Sequence, residues 1–121
     1  MNIVSKFLTY QNQVKILHWQ TASYSEHKTL NKLYESLSEN IDTFVETFMG
    51  KYGRIIAQTN FTLILENYKD MPPTSLINNI EYYLVNELPT MLNAKEDTDL
   101  LNIRDEMLGS VNQAKYLLTL K

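Results

Sequence analysis

The stretch LHWQTASYSEHKTLNKLYESLSENIDTFVE, Leu17 to Glu46, holds the reading on which the fold turns. Within it a short polar link, Thr21-Ala22-Ser23-Tyr24-Ser25, separates two runs whose apolar residues recur at steps of three and four, the repeat of an α-helix. Upstream, Ile3, Val4, Phe7, Leu8, Val14, Leu17 and His18 share one face of a first helix that runs to about Thr21. Downstream, Leu30, Leu33, Leu37, Ile41, Phe44, Val45, Phe48 and Tyr52 line a long second helix, opening near Ser25 and ending around Gly50 to Gly53. A link this short makes the two helices antiparallel neighbours. Ser25 reads as the N-cap of the second helix, with Lys28 standing where a full capping box has Glu.

Moving outward, the pattern from Arg54 to Met71 is mixed. Ile55 and Ile56, then Phe61, Leu63, Ile64 and Leu65, are interrupted by Asn60 and Thr62 and closed by Pro72-Pro73. It reads as a crossover containing a short helix, long enough to leave the second and third helices roughly parallel. The third helix begins at Pro72 or Pro73, since proline suits a first helical turn, and carries Leu76, Ile77, Ile80, Tyr83, Leu84 and Leu88. Pro89 kinks or ends it. After the polar turn Asn93 to Asp97, one of Asp97, Thr98 or Asp99 caps a fourth helix lined by Leu100, Leu101, Met107, Leu108, Val111, Ala114 and Leu118. The expected fold is therefore a single domain over residues 1–121, an all-α antiparallel four-helix bundle of the ferritin-like class, with a crossover between its second and third helices.

Composition agrees with this. Three glycines and three prolines in 121 residues are too few for turn-rich sandwiches and barrels, and 44% apolar content supplies a core. Without cysteine there is no disulfide framework and no thiolate metal site, so any metal is held by His, Asp or Glu. A net charge of −3 and singly scattered lysines argue against a surface that neutralises nucleic-acid phosphates. No run approaches the length of a membrane span, and Met1 to Gln13 lacks the apolar centre of a signal peptide. The expected setting is the cytoplasm, with neither nucleic acid nor membrane as partner.

His18 and His27 are the only histidines, and they flank the first link, so a hairpin brings them to one end of the bundle. Further along the second helix Asp42 and Glu46 lie four apart and stack on one face. Two carboxylates at that spacing repel each other, and a cation between them reverses the sign. The fifteen residues from His27 to Asp42 amount to about 22 Å of helix, so one chain cannot join the two pairs. A two-fold dimer laying this helix against its mate could.

In these residues the chain resembles the Dps-type miniferritins, which bind and oxidise ferrous iron at sites shared between subunits. The resemblance rests on Leu17 to Glu46, with the His18-Trp19 pair and the intervals from His27 to Asp42 and from Asp42 to Glu46. The interval from His18 to His27 is shorter than the family pattern. What the resemblance implies is a ferroxidase site with His18 and His27 from one subunit and Asp42 and Glu46 from its two-fold partner. Glu46 would bind or bridge iron, Asp42 would be a terminal ligand, and Trp19 would flank the site and intercept oxidising equivalents. Imidazole and carboxylate together suit Fe2+ and Fe3+, with Zn2+ or Mn2+ as substitutes. The implied assembly is a homo-oligomer, at least a two-fold dimer and up to the dodecamer of the family. The competing expectation is a ferritin-like helical binding or assembly protein without metal chemistry, for example a bacteriophage accessory protein.

Overall fold

The computed structural model describes residues 2–120. They form four α-helices: α1 (Ile3–Gln20), α2 (Tyr24–Tyr52), α3 (Pro73–Tyr82) and α4 (Thr98–Leu117), and no strand among the described residues. The architecture is an all-helical bundle. Its core joins all four helices through Phe7, Leu17, Leu37, Phe44, Leu76, Leu84, Leu100 and Val111. Phe7 sits at the centre, edge-on to Phe44 at 5.1 Å and to Tyr83 at 6.0 Å. Truncating a buried phenylalanine of this kind removes both transfer energy and packing, about 3–5 kcal/mol.

Residue pairs record how the helices meet. Between α1 and α2 the contacts run from His18 with His27 to Phe7 with Phe44. Between α2 and α4 they run from Ser25 with Leu120, through Ser36 with Ser110, to Lys51 with Asp99. Between α3 and α4, the Glu81 carboxylate accepts from Lys115 at 2.6 Å, and Arg104 donates to the Leu84 carbonyl just beyond the end of α3. In each case the numbers rise on one element as they fall on the other.

Local chemistry explains the helix ends. Asn2 caps α1 by accepting from the Ser5 N–H at 2.8 Å. The N-cap of α2 lies two residues before the one expected from sequence: it is Ser23 and not Ser25, accepting from the Glu26 N–H at 3.2 Å. Ser23 and Glu26 have the spacing of a capping box, but the Glu26 side chain turns elsewhere: it accepts from Thr21 Oγ1 at 2.6 Å and from the Tyr68 hydroxyl at 2.7 Å. Gly53 ends α2 with φ at +90°, a region that L side chains rarely adopt. Pro73 occupies the first turn of α3 as expected. The helix does not stop cleanly at Pro89. It widens into a π turn over Tyr83–Glu87 and tightens into a 3-10 turn over Leu88–Met91, which absorbs the hydrogen bond that proline cannot donate.

The crossover from Gly53 to Pro72 contains no helix, which corrects the expectation of a short one. Length is the reason. The chain leaves α2 at Tyr52 and by Tyr68 is bonded to Glu26, near the opposite end of the same helix. That return covers about 39 Å at the helical rise per residue. Sixteen residue steps would span only about 24 Å as helix, whereas extended chain reaches about 3.3–3.6 Å per residue. The crossover is therefore drawn out along the bundle. It is held where it passes α1: the buried Gln13 amide donates to the Glu66 carbonyl at 2.8 Å and accepts from the Glu66 N–H at 2.7 Å. Higher up, Gln20 accepts from the Tyr68 N–H at 2.7 Å. These bonds do for the crossover backbone what a helix would otherwise do internally.

Candidate functional site

At the α1/α2 link the last carbonyls of α1 lack intrahelical partners. His27, in the first turn of α2, donates through Nδ1 to the His18 carbonyl at 2.9 Å, and His18 Nδ1 donates to the His27 carbonyl at 2.9 Å. The two imidazoles stack with centroids 3.9 Å apart and planes 19° from parallel. His18 is buried, His27 is half-buried and Tyr24 stacks on its outer side at 6.4 Å. Since a carbonyl only accepts, each Nδ1 carries the proton, and in the neutral ring each Nε2 carries the lone pair. A backbone carbonyl on one ring nitrogen is also the usual device that orients a metal-ligating histidine through the other. The short link thus brings the two rings together.

Trp19, beside His18, is 66% exposed. Lys15 spans the space between it and Tyr34, with Nζ 5.5 Å from the indole and 4.6 Å from the phenol ring.

Asp42 and Glu46 lie on the outer face of α2, both exposed. Asp42 borders a shallow groove formed by Val4, Leu8 and Gln11 of α1 with Ser38, Ile41 and Val45 of α2. Hydrogen bonding to Asp42 and its negative charge raise the Glu46 carboxyl above its ordinary value. The structure brings His18 to His27 and leaves Asp42 beside Glu46, but it does not unite the two pairs within one chain. Among the described residues no three such side chains converge as a metal cluster.

A second charged constellation lies where the sequence offers Asp97, Thr98 and Asp99 as caps of the fourth helix. Asp97 is N-cap of α4 by position, yet its buried carboxylate accepts from the Asn93 N–H at 2.7 Å, from the Tyr52 hydroxyl, and from Lys51 at 3.0 Å. Lys51 also reaches Asp99 at 2.8 Å and the Glu96 carbonyl at 2.7 Å. The Asn93 N–H, followed by the tyrosine and lysine donors, pulls the Asp97 carboxyl down to about 2, and the two aspartates push the Lys51 ammonium up to about 12. The group clasps the end of α2 to the loop before α4. The bonds from Lys51 and Tyr52 across to Glu96, Asp97 and Asp99 span 45 residues or more, so no local spacing announces them.

These features define an all-helical bundle protein with an oriented imidazole pair at one helix link and a separate carboxylate pair on its longest helix. The chain belongs to a family of unknown function (DUF5856), whose model matches residues 18–118 and so includes both pairs. It is similar to an uncharacterized 14.6 kDa protein in the mobD-ri intergenic region of Enterobacteria phage T4, at 27% identity over 104 residues, covering 86% of this chain and 75% of that one. No solved structure matches the chain.

Proposed function

We propose that this protein is a Dps-like miniferritin that binds and oxidises ferrous iron at a site shared by two subunits. His18 and His27 of one chain would face Asp42 and Glu46 of its two-fold partner. The observation that carries this reading is the reciprocal pair of Nδ1–H to carbonyl bonds, which leaves both Nε2 lone pairs for a metal. The carboxylates support it in a complementary way: they stand exposed and mutually repelling, a state that a bound cation relieves. The two nitrogens and the carboxylate oxygens suit Fe2+ as substrate, with Zn2+ or Mn2+ able to compete. Iron would lose one electron to a dioxygen or peroxide oxidant, and Trp19 stands close enough to His18 in sequence to take stray oxidising equivalents.

The finer topology belongs to the same proposal. The pairings across the helices fit an antiparallel bundle in ferritin-like order, with α2 and α3 running the same way and the extended crossover joining them. The family's dodecamer is the largest assembly the reading entails, and a cytoplasmic setting goes with it. No described helix is long and apolar enough to cross a membrane.

The second reading is a ferritin-like assembly protein without metal chemistry, such as a phage accessory protein. Similarity to a phage T4 protein is the observation that favours it. One experiment separates the two. Purified protein is incubated anaerobically with Fe2+, its bound metal is measured, and oxidation is followed on adding oxidant. The first reading expects near-stoichiometric iron and fast oxidation, with both lost in His27→Ala and Glu46→Ala. Metal-free protein, or His27→Ala protein as active as the parent, leaves the second.

A further inference from the structure

On the side of α2 that faces α4, Thr29, Lys32, Leu33 and Ser36 stand three and four residues apart on one face. Opposite them on α4, Ser110, Gln113, Ala114 and Leu117 repeat the same spacing. Three hydroxyl-bearing residues and an alanine are too small to fill the space between two helices, and a cavity of about 110 Å³ remains.

The polar groups around this cavity hold more hydrogens than they spend on one another. Ser36 and Ser110 bond to each other, which uses one of their two hydroxyl protons. Thr29 is only 7% exposed, and its hydroxyl has no partner among the described residues, yet that oxygen is not sealed in the core as the Tyr83 hydroxyl is. Its opening is the cavity it lines. The Gln113 amide bonds to nothing among the described residues, and Lys32 is in no ion pair there. No carboxylate borders the space. Water accepts from one or two of these groups and leaves the ammonium unmatched, whereas an acceptor-only anion answers them all. The surroundings set its charge and its size. One lysine supplies a single positive charge, and the open groove that continues past Ser110 and Gln113 is bordered by Asp105 and Glu106, which repel a doubly charged ligand. Leu33, Ala114 and Leu117 offer an apolar wall to a short carbon chain.

We propose that the α2/α4 cavity binds the carboxylate of a short aliphatic acid, with Lys32 as its counter-ion and Thr29, Gln113 and the Ser36–Ser110 pair as hydrogen-bond donors. This goes beyond the iron reading and does not depend on it.

The test is titration of the full chain with butyrate, followed by NMR of the backbone and side-chain amides, with neutral butyramide and inorganic phosphate as comparison ligands. The expected result is a saturable set of shifts centred on Thr29, Lys32, Ser36, Ser110 and Gln113. Butyramide, which has the same shape without the charge, is expected to bind about tenfold more weakly or worse, and phosphate more weakly than butyrate. Lys32→Met, at an exposed position, is expected to keep the helices by circular dichroism and to lose about tenfold in affinity. Thr29→Val keeps the shape of the side chain and removes only the hydroxyl, and it is expected to weaken binding as well. Absence of saturable shifts with butyrate overturns the proposal. So do butyramide or phosphate binding as tightly as butyrate, shifts centred away from the cavity, or butyrate binding that neither Lys32→Met nor Thr29→Val weakens.

Discussion

His18 and His27 close the α1/α2 link by exchanging hydrogen bonds, each Nδ1 donating to the other's backbone carbonyl at 2.9 Å. This sets the tautomer of each ring in its neutral form, and nitrogen-resolved NMR is expected to show the proton on Nδ1 of both rings. His27→Ala removes the bond from His27 Nδ1 to the His18 carbonyl and strips the stacking partner from a buried His18, while the carbonyl of residue 27 can still accept from His18. The lost bond costs about 0.5–1.5 kcal/mol, and the orphaned His18 carbonyl adds to that, so a loss of about 1–3 kcal/mol is expected in urea unfolding.

Gln13 and Glu66 make the corresponding link for the crossover. A side-chain amide can satisfy one backbone donor and one acceptor at once, and Gln13 does both while buried. Gln13→Ala is expected to cost about 1–3 kcal/mol and to speed amide exchange at Glu66, with little change in the core helices. Gln13→Glu is expected to be as damaging or worse, since it replaces the donor facing the Glu66 carbonyl with negative charge. Unchanged exchange at Glu66 in either variant would remove the anchoring role.

The Asp97 clasp makes stability depend on acid. Its carboxyl is held at about 2, below the ordinary 3.8, by the Asn93 N–H, Tyr52 and Lys51. For an acid depressed on folding, the stabilisation is complete above the ordinary value and disappears as pH falls through the folded one. Thermal unfolding is thus expected to lose midpoint between about pH 4 and pH 2. Asp97→Asn should have a lower midpoint at neutral pH and a flatter profile in that window. A parallel profile would place the acid sensitivity in other carboxylates.

Asp42 and Glu46 give the opposite sign. Asp42 raises the Glu46 carboxyl, so the unfavourable pairing is present once both are ionised and is relieved as pH falls. Asp42→Asn is expected to return Glu46 to the ordinary carboxylate range, read from its side-chain NMR titration, and to raise thermal stability slightly at neutral pH. Added Fe2+ or Zn2+ should produce a like downward shift in the parent and not in Asp42→Asn.

The four helices could be read from the chain because their apolar residues keep the helical period, and Pro73 and Gly53 punctuate them by local sterics. Local rules also sufficed to bring His18 and His27 to one end, since a link of a few residues leaves α1 and α2 little choice. Where two local solutions competed, the residue pattern alone misled. Ser23 and Ser25 are both good caps, and the choice of Ser23 accompanies a Glu26 side chain bonded to Tyr68, 42 residues away. The apolar residues of the crossover could have formed a short helix until the distance between the ends of α2 was known. That distance drew the segment out and gave Gln13 its partner.

What the amino-acid order determined by itself is the helical period, the punctuation between helices and the two polar pairs at fixed separations. Tertiary structure decided what those separations mean. It stacked the imidazoles, buried Asp97 against Lys51 and Tyr52, left Asp42 and Glu46 facing outward and drew the crossover out along the bundle. The physical reason is range: caps and periodicity act within a few residues, whereas burial, charge pairing and the span of the crossover depend on contacts between residues more than forty positions apart.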